Sequence, residues 1–199
     1  AVAKRYGGPS TAIFPMCRAL NEAGCDAKIC TTSADGRSAL PVKTGKWIEY
    51  ERVETILFPA TAREFKYSRA MGKWLDDHVN DFDVVHIHAV FNHSSIAAAR
   101  ACRRHQIPYI VRPLGTLDPW SMRQKPFKKK LFWNSFAKRM LAGAAAVHYT
   151  SEGEKRAVES TFNVNHGIVV PLGVELPAQT THHSSLIILH LKQPYILFL

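Results

Sequence analysis

The 199-residue chain contains no apolar run longer than a β-strand, so no segment reads as a transmembrane helix. It opens without the charged stretch and apolar core of a secretory leader, and neither membrane-spanning nor secreted status is expected. Cysteine is scarce. Cys17, Cys25, Cys30 and Cys102 show no zinc-ligand spacing, and Cys17 and Cys102 fall on apolar helix faces, as reduced cysteines of a cytosolic protein do. The sequence lacks Gly-x-Gly-x-x-Gly, the phosphate fingerprint of a dinucleotide oxidoreductase; its glycine loop reads Tyr6-Gly7-Gly8-Pro9-Ser10. Zinc-finger and RNA-recognition signatures are missing too, so nucleic acid is not an expected partner. Acidic residues are the rarer charge, 16 against 26 Lys and Arg, and the resulting net charge of +10 favours anionic partners.

Length and apolar content suffice for one sizeable core. A helix is predicted over 9–23, because Ile13, Cys17 and Leu20 share a face and Gly24 ends it. Strands are predicted at 27–32, 47–50 and 53–58, with a loop over 33–45. From 67 onward helix and strand alternate: helix 67–79, strand 83–88, helix 93–105, strand 107–112, strand 144–149, a helix from Ser151, and strand 168–170. That alternation predicts an α/β fold, a Rossmann-like parallel sheet flanked by helices. No internal repeat is present. Residues 1–175 are expected to form this domain and 176–192 a linker, from the composition of 177–185. The apolar stretch within 193–199 is expected to begin a further, truncated domain. Both ends are expected to be cut, since a doubly wound sheet normally places a strand before its glycine loop.

Polarity concentrates at the predicted strand ends. The run Val84-Val85-His86-Ile87-His88 ends in histidine, and Tyr109-Ile110-Val111-Arg112 ends in arginine before the loop Pro113-Leu114-Gly115-Thr116. After Val147-His148-Tyr149, Ser151 and Glu154 match a capping box, which leaves backbone N–H groups facing the strand end. Ligands of open α/β sheets collect at the carboxyl ends of the strands. Gly7 and Gly8 precede a helix, where backbone can approach a ligand. Imidazole, guanidinium and free amides together suit an anionic ligand, most simply a phosphate. Two readings of His88 stand at this stage, a ligand-facing group and a core histidine bonded to backbone. A metal site from His86, His88 and His93 has no carboxylate or cysteine placed to complete it, and neither metal nor cofactor is expected. Asp81-Phe82-Asp83 has an Asp-x-Asp pattern of the kind that can hold a divalent metal but precedes its strand, so it reads as a solvated turn.

The basic charge is densest over Arg123-Gln124-Lys125-Pro126-Phe127-Lys128-Lys129-Lys130, beside Trp120 and Trp133. Such a stretch reads either as a helix lying at an anionic lipid surface through Lys125, Lys128, Lys129 and Lys130, or as a solvated lysine run on an ordinary core helix.

Taken in order, the Gly7-Gly8-Pro9-Ser10 loop, Val84 to His88, Pro108 to Arg112 with Gly115-Thr116, Thr150-Ser151-Glu152, and Val170-Pro171-Leu172-Gly173-Val174-Glu175 carry a resemblance. The chain resembles the amino-terminal domain of family 4 glycosyltransferases, retaining enzymes of the two-domain GT-B architecture. The resemblance covers nearly the whole chain. It implies transfer of a sugar from a nucleotide-sugar donor to a hydroxyl acceptor, carbohydrate or lipid-linked, in cell-surface polysaccharide or glycolipid synthesis. It implies a cytoplasmic protein, peripheral on the inner face of the membrane. His88 is implied beside the reacting sugar, and Gly7, Gly8, Ser10, Arg112, Thr116 and Ser151 as substrate-binding positions. Leu172-Gly173-Val174-Glu175 departs from the Asn-Gly-Val-Asp of many relatives. The family's donor-binding domain, with its Arg/Lys pair and Glu-x7-Glu element, would have to be supplied for turnover. The alternative is a non-catalytic sugar- or nucleotide-binding Rossmann-like module.

Overall fold

A computed structural model describes residues 1–61, 65–124 and 126–173, apart from the side chains of Pro9 and Thr11. Lys125, the Val174-Glu175 end of the last motif, the 176–192 linker and the strand expected within 193–199 lie outside the described residues.

Helix α1 spans Gly8–Glu22 and closes on Gly24, whose φ of 90° turns the chain out of the helix. Strand β1, Ile29–Thr32, is followed by a small antiparallel pair, β2 (Ala34–Asp35) and β3 (Ser38–Ala39), within the segment expected to be loop. Strands β4 (Trp47–Tyr50) and β5 (Val53–Phe58) are joined by Glu51 and Arg52, both at positive φ, 51° and 60°. That geometry turns the chain straight back, so β4 runs antiparallel to β5 while β1 runs parallel to it. This hairpin precedes the stretch from 67 onward, whose alternation predicts the parallel sheet.

Helix α2 (Arg69–His78) leads into the second sheet, formed by β6 (Val85–His88), β7 (Tyr109–Arg112), β8 (Ala146–Tyr149) and β9 (Gly167–Val169) in that spatial order, all parallel. Helix α3 (His93–His105) connects β6 to β7 and α7 (Glu152–Phe162) connects β8 to β9. Between β7 and β8 runs a helical arm: α4 (Pro119–Arg123), α5 (Pro126–Phe132), a π-helical turn over Trp133–Ala137, and α6 (Lys138–Ala142). The architecture is α/β and Rossmann-like.

Pairing in register makes the two faces of this sheet chemically different. Val85, Ile87, Tyr109, Val111, Val147 and Tyr149 share one face and join the main core with Met71 and Leu75 of α2 and Ala98 and Cys102 of α3. His86, His88, Ile110, Arg112 and His148 share the other, over which α1 brings Met16 to Arg112. Cys17 and Cys102 are buried and unpaired, as expected from their helix faces. Among the described residues β1 and β6 are not paired with each other, and residues along both line the crevice that lies between them, with Met71 and Leu75 of α2 and Ala98 of α3.

Glu51 and Arg52 hold a left-handed conformation that costs L-residues roughly 1–2 kcal/mol each and that Asn-Gly adopts readily. Replacing the pair by Asn-Gly is expected to raise unfolding stability by on the order of ~1 kcal/mol, read as a higher denaturation midpoint with unchanged slope.

Candidate functional site

Three neighbouring strands bring His88, Arg112 and His148 together at their carboxyl ends, with His88 directly beside Arg112 in the parallel register. His86, two residues before His88, lies on the same face. Its ring centroid is 4.5 Å from that of His88 and 5.2 Å from that of His148. His148 Nε2 lies 2.8 Å from the Val170 carbonyl oxygen, which can only accept, so this nitrogen carries the proton. In neutral His148 the Nδ1 is then an acceptor, and His86 Nε2, 3.2 Å away, donates to it. The two bonds set the tautomers of both rings.

Burial keeps these imidazoles uncharged. His86 is held down to about 4 by burial, then by His148 and Arg112. His88 lies well below the ordinary histidine value, through burial first and then through His86 and Arg112. His148 is lowered by burial, against the opposing pull of its bond to Val170. Arg112, 2% exposed, is itself disfavoured by burial and supported by Glu154, and a guanidinium stays charged under these conditions. Its Nη1 meets the Met16 thioether at 3.8 Å, while its Nε and Nη2 are buried without a partner among the described residues, as is His88 Nε2. Buried polar atoms are nearly always paired, so the two Arg112 donors suit acceptor oxygens of a ligand, and His88 Nε2 beside them can donate or accept according to its tautomer.

A crevice of about 410 Å³ opens beside them, between β1 and β6. Val2, Ile29, Val85 and Ile87 make one part of its wall apolar; Tyr6, Ser10, Lys66, His88, Asn92 and Thr116 make the rest polar. No acidic side chain is among the described residues that line it. Gly7 and Gly8 stand between Tyr6 and Ser10, so the glycine loop borders the crevice, and Gly7 holds a φ of 75°. Thr116 lines it while its Oγ1 donates to the Pro113 carbonyl oxygen at 2.6 Å.

Ser151 is placed differently. Its Oγ accepts from Glu154 N at 3.1 Å, as the capping motif predicts, and it is not among the crevice-lining residues. Glu154 does not return the bond. Its Oε2 accepts from Thr150 N and Thr150 Oγ1 at 2.9 and 3.0 Å, and its Oε1 from Gly115 N at 2.9 Å. This carboxylate, with Glu152 in the same first turn, already supplies the negative charge that the helix start attracts. Glu154 is thereby a clamp between the loops that follow β7 and β8, at the α7 amino terminus where the sequence expects an anion.

His93 also leaves the constellation. Its Nδ1 accepts from Ser68 N at 3.3 Å and its ring packs 4.4 Å from Tyr67, away from His86 and His88. Among the described residues no three His, Cys, Asp or Glu side chains group as metal ligands. Asp81 pairs with His78 at 3.2 Å on the surface, before β6, where the sequence placed a solvated turn.

Sequence reasoning did not single out Lys66 or Ser95. Lys66 holds a positive φ of 51°, and its Nζ sits 3.7 Å from the Tyr6 ring centroid in the crevice wall, where burial lowers its pKa. Nothing in its irregular surroundings announces this. Ser95 was legible, because Asn92 three residues earlier is a helix-capping residue and accepts from Ser95 N at 2.9 Å. Ser95 Oγ donates to the Ala89 carbonyl oxygen at 2.8 Å. It thereby pins Ala89, which follows His88 at a φ of 65°, and so helps fix where the strand ends.

A family model described as a glycosyl transferase 4-like domain matches residues 7–173. No curated protein and no solved structure matches the chain.

The lowered histidine pKa values set a pH dependence. A group neutral in the folded state takes up its proton first in the unfolded chain, below about 6.5, so the stability it contributes above that value is lost as pH falls through about 4 for His86. The melting temperature is expected to drop over this window, and His86→Gln, which keeps a donor for His148, is expected to flatten the drop. Equal profiles for the two proteins would contradict it.

Proposed function

The chain belongs to the glycosyl transferase 4-like family over residues 7–173 and is a glycosyltransferase domain, and from that premise we propose that its crevice is the acceptor wall of a retaining transfer from a nucleotide-sugar donor. The observation that carries this reading is the set of buried, unanswered atoms His88 Nε2, Arg112 Nε and Arg112 Nη2 beside the crevice. A neutral imidazole there can hydrogen-bond a sugar or acceptor hydroxyl. Lys66 in the crevice lining and Arg112 next to His88 in the sheet, with no carboxylate among the described lining residues, suit an acceptor that carries a phosphate or carboxylate. Ser10, Thr116 and the Gly7-Gly8 backbone border the same space and take part as binding groups.

Attack and departure take place on one face of the sugar. The bond from the anomeric carbon to the donor phosphate breaks, the bond to the acceptor oxygen forms, and the hydroxyl proton passes to the departing phosphate. His88 positions the hydroxyl for that transfer. Neither a protein nucleophile nor a metal is required by this route, and the donor is held by a second domain of the kind the family resemblance implies.

Two variants test the reading in the full-length enzyme with a radiolabelled nucleotide sugar. His88→Ala is expected to lower kcat on the order of ~100-fold with the fold retained, and the product of the parent enzyme to keep the donor's anomeric configuration. An inverted product, or no transfer to any acceptor together with tight sugar binding, would instead support inversion or the binding-module reading.

Arg112→Met should separate binding from stability. Removing a buried, unanswered charge is expected to raise stability by about 1–3 kcal/mol while weakening use of anionic acceptors more than neutral ones. Unfolding curves and acceptor KM values for charged and uncharged acceptors measure the two effects.

A further inference from the structure

Helix α3 presents a stripe that the crevice does not use. Ile96, Ala99, Arg100, Arg103 and Arg104, three and four residues apart, line a cavity of about 500 Å³ between α3 and the end of the helical arm. Arg139 of α6 lines it from the other side. None of its described lining residues is acidic; Asp76, which is not among them, pairs with Arg104 at 2.9 Å. Arg100, Arg103 and Arg139 have no carboxylate partner among the described residues. Three like charges on facing helices repel one another, and a multiply charged phosphate, which guanidiniums meet through pairs of parallel hydrogen bonds, would relieve that repulsion.

The same stripe continues into an aromatic half. A cavity of about 350 Å³ shares Ile96, Arg100 and Phe136 with the first and is lined further by Phe65, Tyr67 and His93. Its rings are held in place: His93 N donates to the Phe65 carbonyl oxygen at 3.1 Å, Ser68 N donates to His93 Nδ1 at 3.3 Å, and the Tyr67 ring centroid lies 4.4 Å from that of His93. The bond from Ser68 leaves the proton of a neutral His93 on Nε2, and burial, then Arg100, holds its pKa below the ordinary histidine value. Phe136 and Tyr67 are 44% and 40% exposed, so their rings remain open to a ligand. The lysine run of the arm takes no part. Lys129 turns inward, where its Nζ donates to the Ser121 carbonyl oxygen at 2.6 Å, and neither Lys128 nor Lys130 lines the groove.

We propose that this groove is a second small-molecule site of the domain and that it takes a nucleotide carrying two or more phosphates. The phosphates lie among Arg100, Arg103 and Arg139, and the base rests against Phe136 and Tyr67. Arg100, common to both cavities, meets the phosphate nearest the sugar, and His93 Nε2 donates to the base or the sugar. Each cavity falls within the roughly 300–1,000 Å³ of small-molecule sites. Inorganic phosphate would leave the aromatic half unused and an apolar ligand would leave the guanidiniums unanswered, whereas a nucleotide satisfies both. No described residue lines both this groove and the crevice, so the inference stands apart from the reading of the crevice.

The test is isothermal titration calorimetry of the full chain with ADP, UDP, adenosine and inorganic pyrophosphate. ADP and UDP are expected to bind more tightly than adenosine or pyrophosphate, each of which fills one half only. The triple change R100Q, R103Q and R139Q is expected to weaken ADP at least roughly a hundredfold, because charge-assisted hydrogen bonds to phosphate are lost. Phe136→Leu is expected to weaken ADP roughly tenfold, the scale of one lost base–aromatic stack, and to leave pyrophosphate binding unchanged. Removing the same charge from the exposed Arg37, Lys43 and Lys46 is expected to change little. Circular dichroism and melting temperature verify that each variant folds, and the half-exposed Phe136 supplies a reading even where the triple lowers stability. Four results would each overturn the proposal: no binding of ADP or UDP, pyrophosphate bound as tightly as ADP, equal losses for the two triples, or ADP binding lost in Lys66→Met and kept in the groove triple. The last would place the nucleotide in the crevice.

Discussion

A guanidinium enclosed at the end of a parallel strand sets the terms for everything packed around it. Arg112 is buried beside His88 in register, and its charge, added to burial, keeps His86, His88 and His148 in their neutral forms. Neutral rings can then be ordered by single, directional hydrogen bonds, as His148 is to Val170 and His86 is to His148. Remove the positive charge and that electrostatic reason for neutrality weakens. Leave it in place, and the site holds guanidinium donors that no described residue satisfies.

The surrounding loops are arranged to keep that imbalance in place. Glu154 ties the loop after β7 to the loop after β8 through Gly115 and Thr150, and supports the Arg112 charge from a distance. Ser95 and Asn92 hold the turn after β6 through Ala89, a residue in a conformation that non-glycine residues seldom take. Such bonds spend polar groups on backbone position, which is how a few side chains reach fixed places at the mouth of a sheet. Positive charge takes two forms in the molecule, as one buried, directional guanidinium beside His88 and as a cluster of exposed arginines on the flank. The first kind favours selectivity, since an unpaired buried donor rejects a ligand without acceptors. The second favours capture, since exposed charges act over a longer range and respond to salt.

Much of this was readable along the chain. The β-branched runs ending in His88 and Arg112, the helix closing on Gly24 and the alternation from α2 to β9 follow from local periodicity, and the parallel sheet was legible for that reason. The β4–β5 hairpin was not, because Glu51-Arg52 has none of the glycine or asparagine that normally marks two successive positive φ angles. The capping motif at Ser151 was correctly located. Where its glutamate side chain goes was not legible, since the choice between its own helix and Gly115 depends on a loop 39 residues away.

The sequence by itself determined the α/β class, the placing of histidine and arginine at strand ends, and the excess of positive charge, because period, residue type and composition are local properties. Only the tertiary structure decided which of those groups meet. It set His148 against His86 across 62 residues, turned His93 away from both, folded Lys129 onto Ser121, and gathered arginines from α3 and α6 into one groove. Those outcomes depend on strand register and on helices packing from distant parts of the chain, and each is settled by which neighbour satisfies a buried polar group or covers an apolar face.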